Sequence, residues 1–246
     1  MTGHMRVGLF VTCLTDLMRP RIGFAALKLL HAAGAEVIVP ATQTCCGQPG
    51  YNSGDYDSAR PLALKLAREF ADCDYVVSPS GSCAGMIRVH YPVLFRDTPH
   101  AAEIETLANK THELTDFLVR IAKLENIPGN FTGTLTYHDA CSGLRELGVK
   151  TQPRALLARM PGVRLIEMTE SETCCGFGGT FAVKFGDIAT RMADNKCQNI
   201  DASGASAIVA GDLGCLLHLE GRLRRRGNHH TRVLHVAEVL AGETEG

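Results

Sequence analysis

The 246-residue chain carries 25 Lys and Arg against 26 Asp and Glu, a formal net charge of −1, and is 45% hydrophobic. Near-neutral charge excludes a broad electrostatic grip on nucleic acid or an anionic membrane surface, and the apolar content excludes a disordered chain. Ten cysteines are too few for a disulfide scaffold yet many for an ordinary intracellular enzyme.

In chain order, Met1–Arg6 leads straight into the apolar run Val7–Val11. That run is too short for a secretory core and has no small-residue cleavage site behind it, so export is not expected. No apolar run reaches the ~18 residues of a membrane span. The expected setting is a reducing cytoplasm, where clustered cysteines bind metal or do redox chemistry. Val7–Val11 reads as a buried strand, Arg21–Ala33 as an amphipathic helix, Glu36–Val39 as a strand after the turn at Gly34, Ala59–Phe70 as a helix and Tyr75–Ser78 as a strand. The pattern then starts again. Leu135–His138, Pro153–Met160, Arg164–Glu167, Ile188–Asn199 and Ala207–Ala210 occupy the same slots in the same order. A closing helix is expected in each half, around Glu113–Leu124 and Val233–Leu240. The boundary falls in the Pro/Gly-bearing stretch Asn126–Gly133, giving units at 5–126 and 133–242. Strands separated by helices imply a parallel sheet with right-handed crossovers and helices on both faces. The expected fold is therefore α/β, as two pseudo-symmetric three-layer units.

The cysteines obey the same repeat. Thr44-Cys45-Cys46-Gly47 recurs as Thr173-Cys174-Cys175-Gly176. Cys13 precedes its pair by 32 residues and Cys141 by 33, while Cys83 follows by 37 and Cys215 by 40. Each of these positions follows a strand, and parallel strands deliver their following loops to one sheet edge, where open α/β sheets bind ligands. Cys13, Cys45, Cys46 and Cys83 should thus meet, as should Cys141, Cys174, Cys175 and Cys215. Four thiolates suit zinc or an iron–sulfur cluster, and the absence of tight C-x₂₋₄-C knuckles favours the cluster. Gly47 permits the turn that points both cysteines of a pair into one centre. Cys73 and Cys197 fall outside the rule and read as buried packing residues.

Around these cysteines, His138 and Asp139 sit at a strand end as proton donors, anchors for a substrate carboxylate, or supports of the cluster loop. Arg145 is a candidate carboxylate clamp and Lys184 a partner for a negatively charged cluster, with a solvated role as the alternative for both. Arg222-Leu223-Arg224-Arg225-Arg226 is the one dense basic run, suited to an acidic partner or simply to solvent. Gly176–Thr180 lacks the tail of a phosphate loop.

The two C…CCG…C units resemble the CCG domains of the cysteine-rich subunit of heterodisulfide reductase and of the glycolate oxidase iron–sulfur subunit. The resemblance is strongest to the lactate utilization protein A family of tandem CCG domains and covers Met5 to Leu240. Its marks include Cys45-Cys46-Gly47-Gln48-Pro49, Pro79-Ser80-Gly81-Ser82-Cys83, Tyr137-His138 before Cys141, Cys174 through Lys184, and His235-Val236-Ala237-Glu238-Val239-Leu240. It implies an iron–sulfur subunit that oxidises L-lactate to pyruvate with two partners, a ferredoxin-like iron–sulfur protein and a small third protein. A small 2-hydroxy acid is the implied substrate. Heterodisulfide-reductase units end in Cys-x-x-Cys and supply a fifth thiolate to a non-cubane cluster; here Met86 and His218 stand in that place. Four cysteines per half fit one ordinary 4Fe-4S cluster in each better than the non-cubane one, with Met86 and His218 either packing beside the sites, the favoured reading, or joining as ligands. The competing expectations are a redox subunit of heterodisulfide-reductase or glycolate-oxidase type, and a zinc-stabilised scaffold without catalysis.

Overall fold

A computed structural model describes residues 5–244; Met1–His4, at the start of the segment that leads into the first strand, lie outside the described residues, as do residues 245–246. Among the described residues, eight strands form two sheets. The first has the order β2-β1-β3-β4 and the second β6-β5-β7-β8, and every pairing is parallel. Their ranges are β1 Arg6–Leu9, β2 Glu36–Ile38, β3 Tyr75–Ser78, β4 Thr111–Glu113, β5 Gly133–His138, β6 Val163–Leu165, β7 Ala207–Ala210 and β8 Arg232–His235. The central strands β3 and β7 are almost wholly buried, as the inner strands of a parallel sheet covered on both faces must be. Helix Arg21–Ala32 buries Ile22, Ala25, Ala26, Leu29 and Leu30, the i, i+3, i+4, i+7, i+8 stripe of an amphipathic helix. It ends where Gly34 takes φ 77°, a left-handed value that glycine adopts without strain. Helix Tyr56–Glu69 is started by Asp55, whose carboxylate accepts from the Ser58 N–H at 3.1 Å.

The expected strands and helices are present, but each half has a fourth strand where the apolar pattern predicts the start of the closing helix. Three to four residues with His or Arg among them, at Thr111–Glu113 and Arg232–His235, are too short to display a period of two against the helical run that follows. The helix proper begins only at Leu114 and at Val236. The last residue of each of these strands caps its helix. Glu113 accepts from the Thr115 and Asp116 N–H groups at 2.7 and 3.0 Å, and His235 Nδ1 accepts from Ala237 N–H at 3.1 Å.

The closing helices bind the halves together. Val236–Ala241 of the second half packs on Arg21–Ala32 of the first, and Leu114–Asp116 of the first packs on Thr151–Leu157 of the second. One continuous apolar cluster therefore holds Leu29, Leu30, Leu114 and Phe117 together with Leu156, Leu157, Val239 and Leu240. Burial of apolar surface at ~25 cal/mol per Å² is what stabilises this joint. A buried carboxylate, Glu238, is paired across it with Arg21.

Candidate metal centre

Each cysteine of the repeat sits just past the carboxyl end of a strand, as parallel strand direction requires. Cys13 and Cys141 begin the helices Cys13–Met18 and Cys141–Leu147 after β1 and β5. Cys45 and Cys46 occupy the loop after β2, and Cys174 and Cys175 the loop after β6. Cys83 and Cys215 lie in the first turns of helices Gly81–Gly85 and Leu213–Arg225. In each half one pair of these thiols is in contact, and the others lie at the same sheet edge. The Sγ atoms of Cys46 and Cys83 are 3.4 Å apart, and those of Cys175 and Cys215 are 3.0 Å apart. Cys45, beside Cys13 and Cys46, has its pKa drawn well below the ordinary thiol range, and Cys174 is lowered likewise by Cys141 and Cys175. The donors are pushed up correspondingly, Cys13 by its bond to Cys45 and Cys141 by its bond to Cys174, with burial adding to each. One thiolate thus stands ready in each quartet, and the others lose their protons as a soft cation enters.

The glycine after each pair makes this convergence possible. Gly47 has φ 78° and Gly176 φ 89°, and their N–H groups point back at sulfur, Gly47 at Cys45 Sγ (3.3 Å) and Gly176 at Cys174 Sγ (3.4 Å). Phe177 N–H adds a third such bond, to Cys175 Sγ at 3.5 Å. Backbone donors on thiolate sulfur stabilise negative charge there and raise the reduction potential of a cluster bound to it. Before Cys13, Thr12 takes φ 76°, a left-handed conformation that costs a β-branched residue on the order of 1–3 kcal/mol and aims the thiol inward. Tyr91 reaches in from below, its hydroxyl donating to the Cys46 carbonyl at 2.6 Å.

The two quartets face one another. A single cavity of about 270 Å³ is lined by Cys13, Cys45, Cys46 and Cys83 from the first half and by Cys141 and Cys215 from the second. Its walls are brought together where helix Gly81–Gly85 crosses helix Cys141–Leu147. A Cβ on Gly81 would lie 3.0 Å from Gly143 Cα, so two bare backbones are what let the helices meet. Ser80 and Asp212 stand at equivalent positions, three residues before Cys83 and Cys215. Ser80 Oγ caps its own helix through the Cys83 N–H (3.3 Å). Asp212 caps its helix through the Gly214 N–H (3.2 Å) and also accepts from the Ser82 N–H (2.9 Å) and the Ser80 hydroxyl (3.2 Å) across the joint.

Of the other candidates, only His138 reaches the thiols. It is fully buried behind the second quartet. A ring nitrogen and the Sγ atoms of Cys175 and Cys215 lie within 4.8 Å of one another. Among the described residues neither ring nitrogen makes a hydrogen bond of good geometry; the Ser171 carbonyl lies close enough to act on the ring but is engaged by the Asp139 N–H and by Lys196. Burial, and then the Lys196 charge, lower the His138 pKa to about 4, so the imidazole is neutral. Asp139 is committed to a bidentate pair with Arg154, at 2.7 and 2.8 Å. Arg145 and Lys184 are exposed and do not line the cavity. Met86 is buried among the apolar residues of the first half. His218 lies against Phe177, with Nε2 3.4 Å from the Ala189 carbonyl. Cys73 and Cys197 are buried and unpaired with the quartets. The basic run is largely engaged within its own half, since Arg222 and Arg226 both grip Asp194. Sequence reasoning missed Lys196, Tyr91 and the Ser80–Asp212 tie. Lys196 alone carried a signal, as a lysine on the apolar stripe of Gly186–Ser203 between Ala193 and Ile200.

The donor set fits a thiophilic group in each half. Four unpaired thiols on three loops, backbone N–H groups aimed at sulfur and an enclosed front match iron–sulfur ligation by Cys₄. Comparison with known proteins points to the same cysteines. The family description "Cysteine-rich domain" (CCG) matches residues 7–88 and again 135–220. The chain is 46% identical to Lactate utilization protein A of Geobacillus kaustophilus and 43% identical to that of Bacillus subtilis. Each alignment spans 96% of this chain, with 98% and 99% of the relative. The chain belongs to the lactate utilization protein A family. Its two matched segments each contain one complete quartet, so the family's repeated domain and the converging thiols are the same feature. Among solved structures, a putative Asp/Glu racemase from Yersinia pestis aligns over 98% of this chain and 97% of its own, with 12% identity and a TM-score of 0.37. That likeness is too distant to carry an argument.

Proposed function

We propose that the protein is the iron–sulfur subunit of a lactate-oxidising system, holding one cluster in each cysteine quartet and relaying electrons from lactate oxidation to a partner. The observation that carries this reading is one cavity lined by Cys13, Cys45, Cys46 and Cys83 of the first half and by Cys141 and Cys215 of the second, in a chain whose relatives are named for lactate utilization. Oxidation of L-lactate to pyruvate releases two electrons and two protons, and two one-electron sites in one chain match that number. An iron–sulfur group supplies one-electron transfer and nothing else that the chain needs from it.

The chain's own residues do the rest. Cys13, Cys45, Cys46 and Cys83 would hold the first group and Cys141, Cys174, Cys175 and Cys215 the second. The Gly47, Gly176 and Phe177 N–H groups stabilise sulfur charge, and Asp212 fixes the distance between the halves. The chain has no flavin or nicotinamide fingerprint, so hydrogen removal from the substrate needs a partner that carries such chemistry or direct ligation of the substrate at a cluster; the partners proposed are a ferredoxin-like iron–sulfur protein, which passes electrons, and a small third protein. Ten free thiols suit the cytoplasm, and no described helix is long and apolar enough to cross a membrane.

Anaerobic purification with iron, sulfide and zinc analysis tests the cofactor, and growth of a deletion strain on L-lactate tests the role. Brown protein whose iron falls by about half in Cys45→Ser, with growth lost on deletion, is the expected result. Colourless protein with stoichiometric zinc would refute the cluster, and unimpaired growth in a strain lacking other lactate dehydrogenases would refute the role.

A further inference from the structure

The two halves correspond element by element around their quartets, and two of the buried positions at which they differ in chemical kind lie behind the second quartet. The strand register that matches Val7 with Leu135 sets Phe10 opposite His138, each three residues before its first cysteine. The contacts of Gly47 with Ala59 and of Gly176 with Ala189 align helices Tyr56–Glu69 and Gly186–Ser203, and this sets Leu66 opposite Lys196. In the first half Phe10 and Leu66 are buried in the same apolar cluster as Cys46 and Cys83. In the second, His138 and Lys196 are 0% and 1% exposed. The imidazole makes no hydrogen bond of good geometry among the described residues, and one of its ring nitrogens lies within 4.8 Å of the Cys175 and Cys215 Sγ atoms. The ammonium is held only by the carbonyl oxygens of Glu170 and Ser171.

Burying an unpartnered imidazole and an ammonium without a carboxylate costs several kcal/mol unless something satisfies them. Phe and Leu in the sister half demonstrate that the fold does not need them. Other charges near the second quartet are already matched. Asp139 is paired with Arg154, and the Asp212 carboxylate is shared between the halves.

We propose that the two quartets are unequal electron sites: His138 donates a hydrogen bond to sulfur of the group held by the second quartet and Lys196 lends it positive charge, so an electron entering the first site passes on to the second. This rests on the reading that both quartets hold iron–sulfur groups. A donor and a cation beside sulfur stabilise the reduced, more negative form, and so raise the potential. Phe10 and Leu66 do neither. The transfer is a single electron from one cluster to the other, with no bond made or broken. His138 and Lys196 act as positioning residues for charge.

The test is a redox titration of the anaerobically reconstituted full-length protein, followed by electron paramagnetic resonance, with iron and sulfide counted in every sample. Cys45→Ser and Cys174→Ser variants assign each reduction step to its quartet. Two one-electron steps are expected, with the second quartet favoured at least tenfold, about 59 mV for one electron. His138→Phe and Lys196→Leu should each lower the upper step and leave the lower one in place, and Phe10→His should raise the lower step. Full iron with equal potentials, or an upper step unmoved by both variants, overturns the proposal and leaves the cluster reading intact. If His138→Phe fails to retain iron, Phe10→His decides: a raised lower step supports the proposal and an unmoved one overturns it. An iron-free wild-type protein overturns the cluster reading and the proposal together.

Discussion

Replacing Asp212 with serine converts the second half into a copy of the first at a position where a carboxylate ties the halves beside the cavity. Serine retains a cap for helix Leu213–Arg225, as Ser80 caps its own helix, but its shorter side chain cannot reach across the joint. The bonds lost are those from the Ser82 N–H at 2.9 Å and the Ser80 hydroxyl at 3.2 Å. Hydrogen bonds to a charged acceptor contribute about 1.5–3 kcal/mol each. Ser82 is half-buried, so water replaces part of its bond, and the expected loss is about 2–4 kcal/mol. For a chain of this size each kcal/mol moves Tm by roughly 2–4 °C, so Asp212→Ser should melt about 4–16 °C lower. Asp212→Ala should lose about 1 kcal/mol more, because it also removes the cap on Gly214 N–H. Thermal unfolding followed by circular dichroism, with wild type, Asp212→Ser and Asp212→Ala side by side, measures both steps. Were the serine variant to melt with the wild type and the alanine variant alone to fall, the carboxylate would be only a helix cap, and the inter-half tie would have no energetic weight.

Gly176→Ala should destabilise the second quartet more than Gly47→Ala does the first. Both glycines are left-handed, which costs alanine about 1–2 kcal/mol, but a Cβ on Gly176 meets the Ala189 carbonyl at 2.7 Å, whereas on Gly47 the nearest atom is 3.3 Å away. Iron bound per chain and Tm read the order. Tyr91→Phe removes the hydroxyl from the buried Cys46 carbonyl and should cost about 1–3 kcal/mol, weakening iron retention in the first quartet only; loss confined to the second would contradict the geometry. Glu113 gives a pH signature. Burial raises its pKa to about 7 from 4.5, so between about pH 4.5 and 7 the folded chain holds a proton that the unfolded chain releases. That contribution to stability is complete below pH 4.5 and declines to about pH 7, by on the order of 3 kcal/mol. Chemical denaturation across that range should show Glu113→Gln losing less stability than wild type as pH rises; parallel pH profiles would mean that Glu113 ionises freely in the folded protein.

The repeat of cysteines and the apolar periodicity are local properties of the chain; they determined the two-unit α/β fold and predict the membership of each quartet. The reason is directional. In a parallel sheet every strand delivers its following loop to the same edge, so cysteines more than 30 residues apart can be assigned to one centre without coordinates. The fourth strands escaped because three or four residues beside a helix carry no period of their own. What only the tertiary structure decided concerns the joint between the units. The closing helices exchange partners because each leaves an apolar face that the opposite unit completes, and this turns the two sheet edges toward one cavity. Gly81 and Gly143 permit the crossing, yet a glycine in sequence does not announce which backbone will approach it. His138 was legible as a polar residue at a strand end, and its pairing with Lys196 was not. Those two residues lie 58 positions apart on different elements, and only packing shows that both are enclosed behind the same thiols, with phenylalanine and leucine in their places across the pseudo-symmetry.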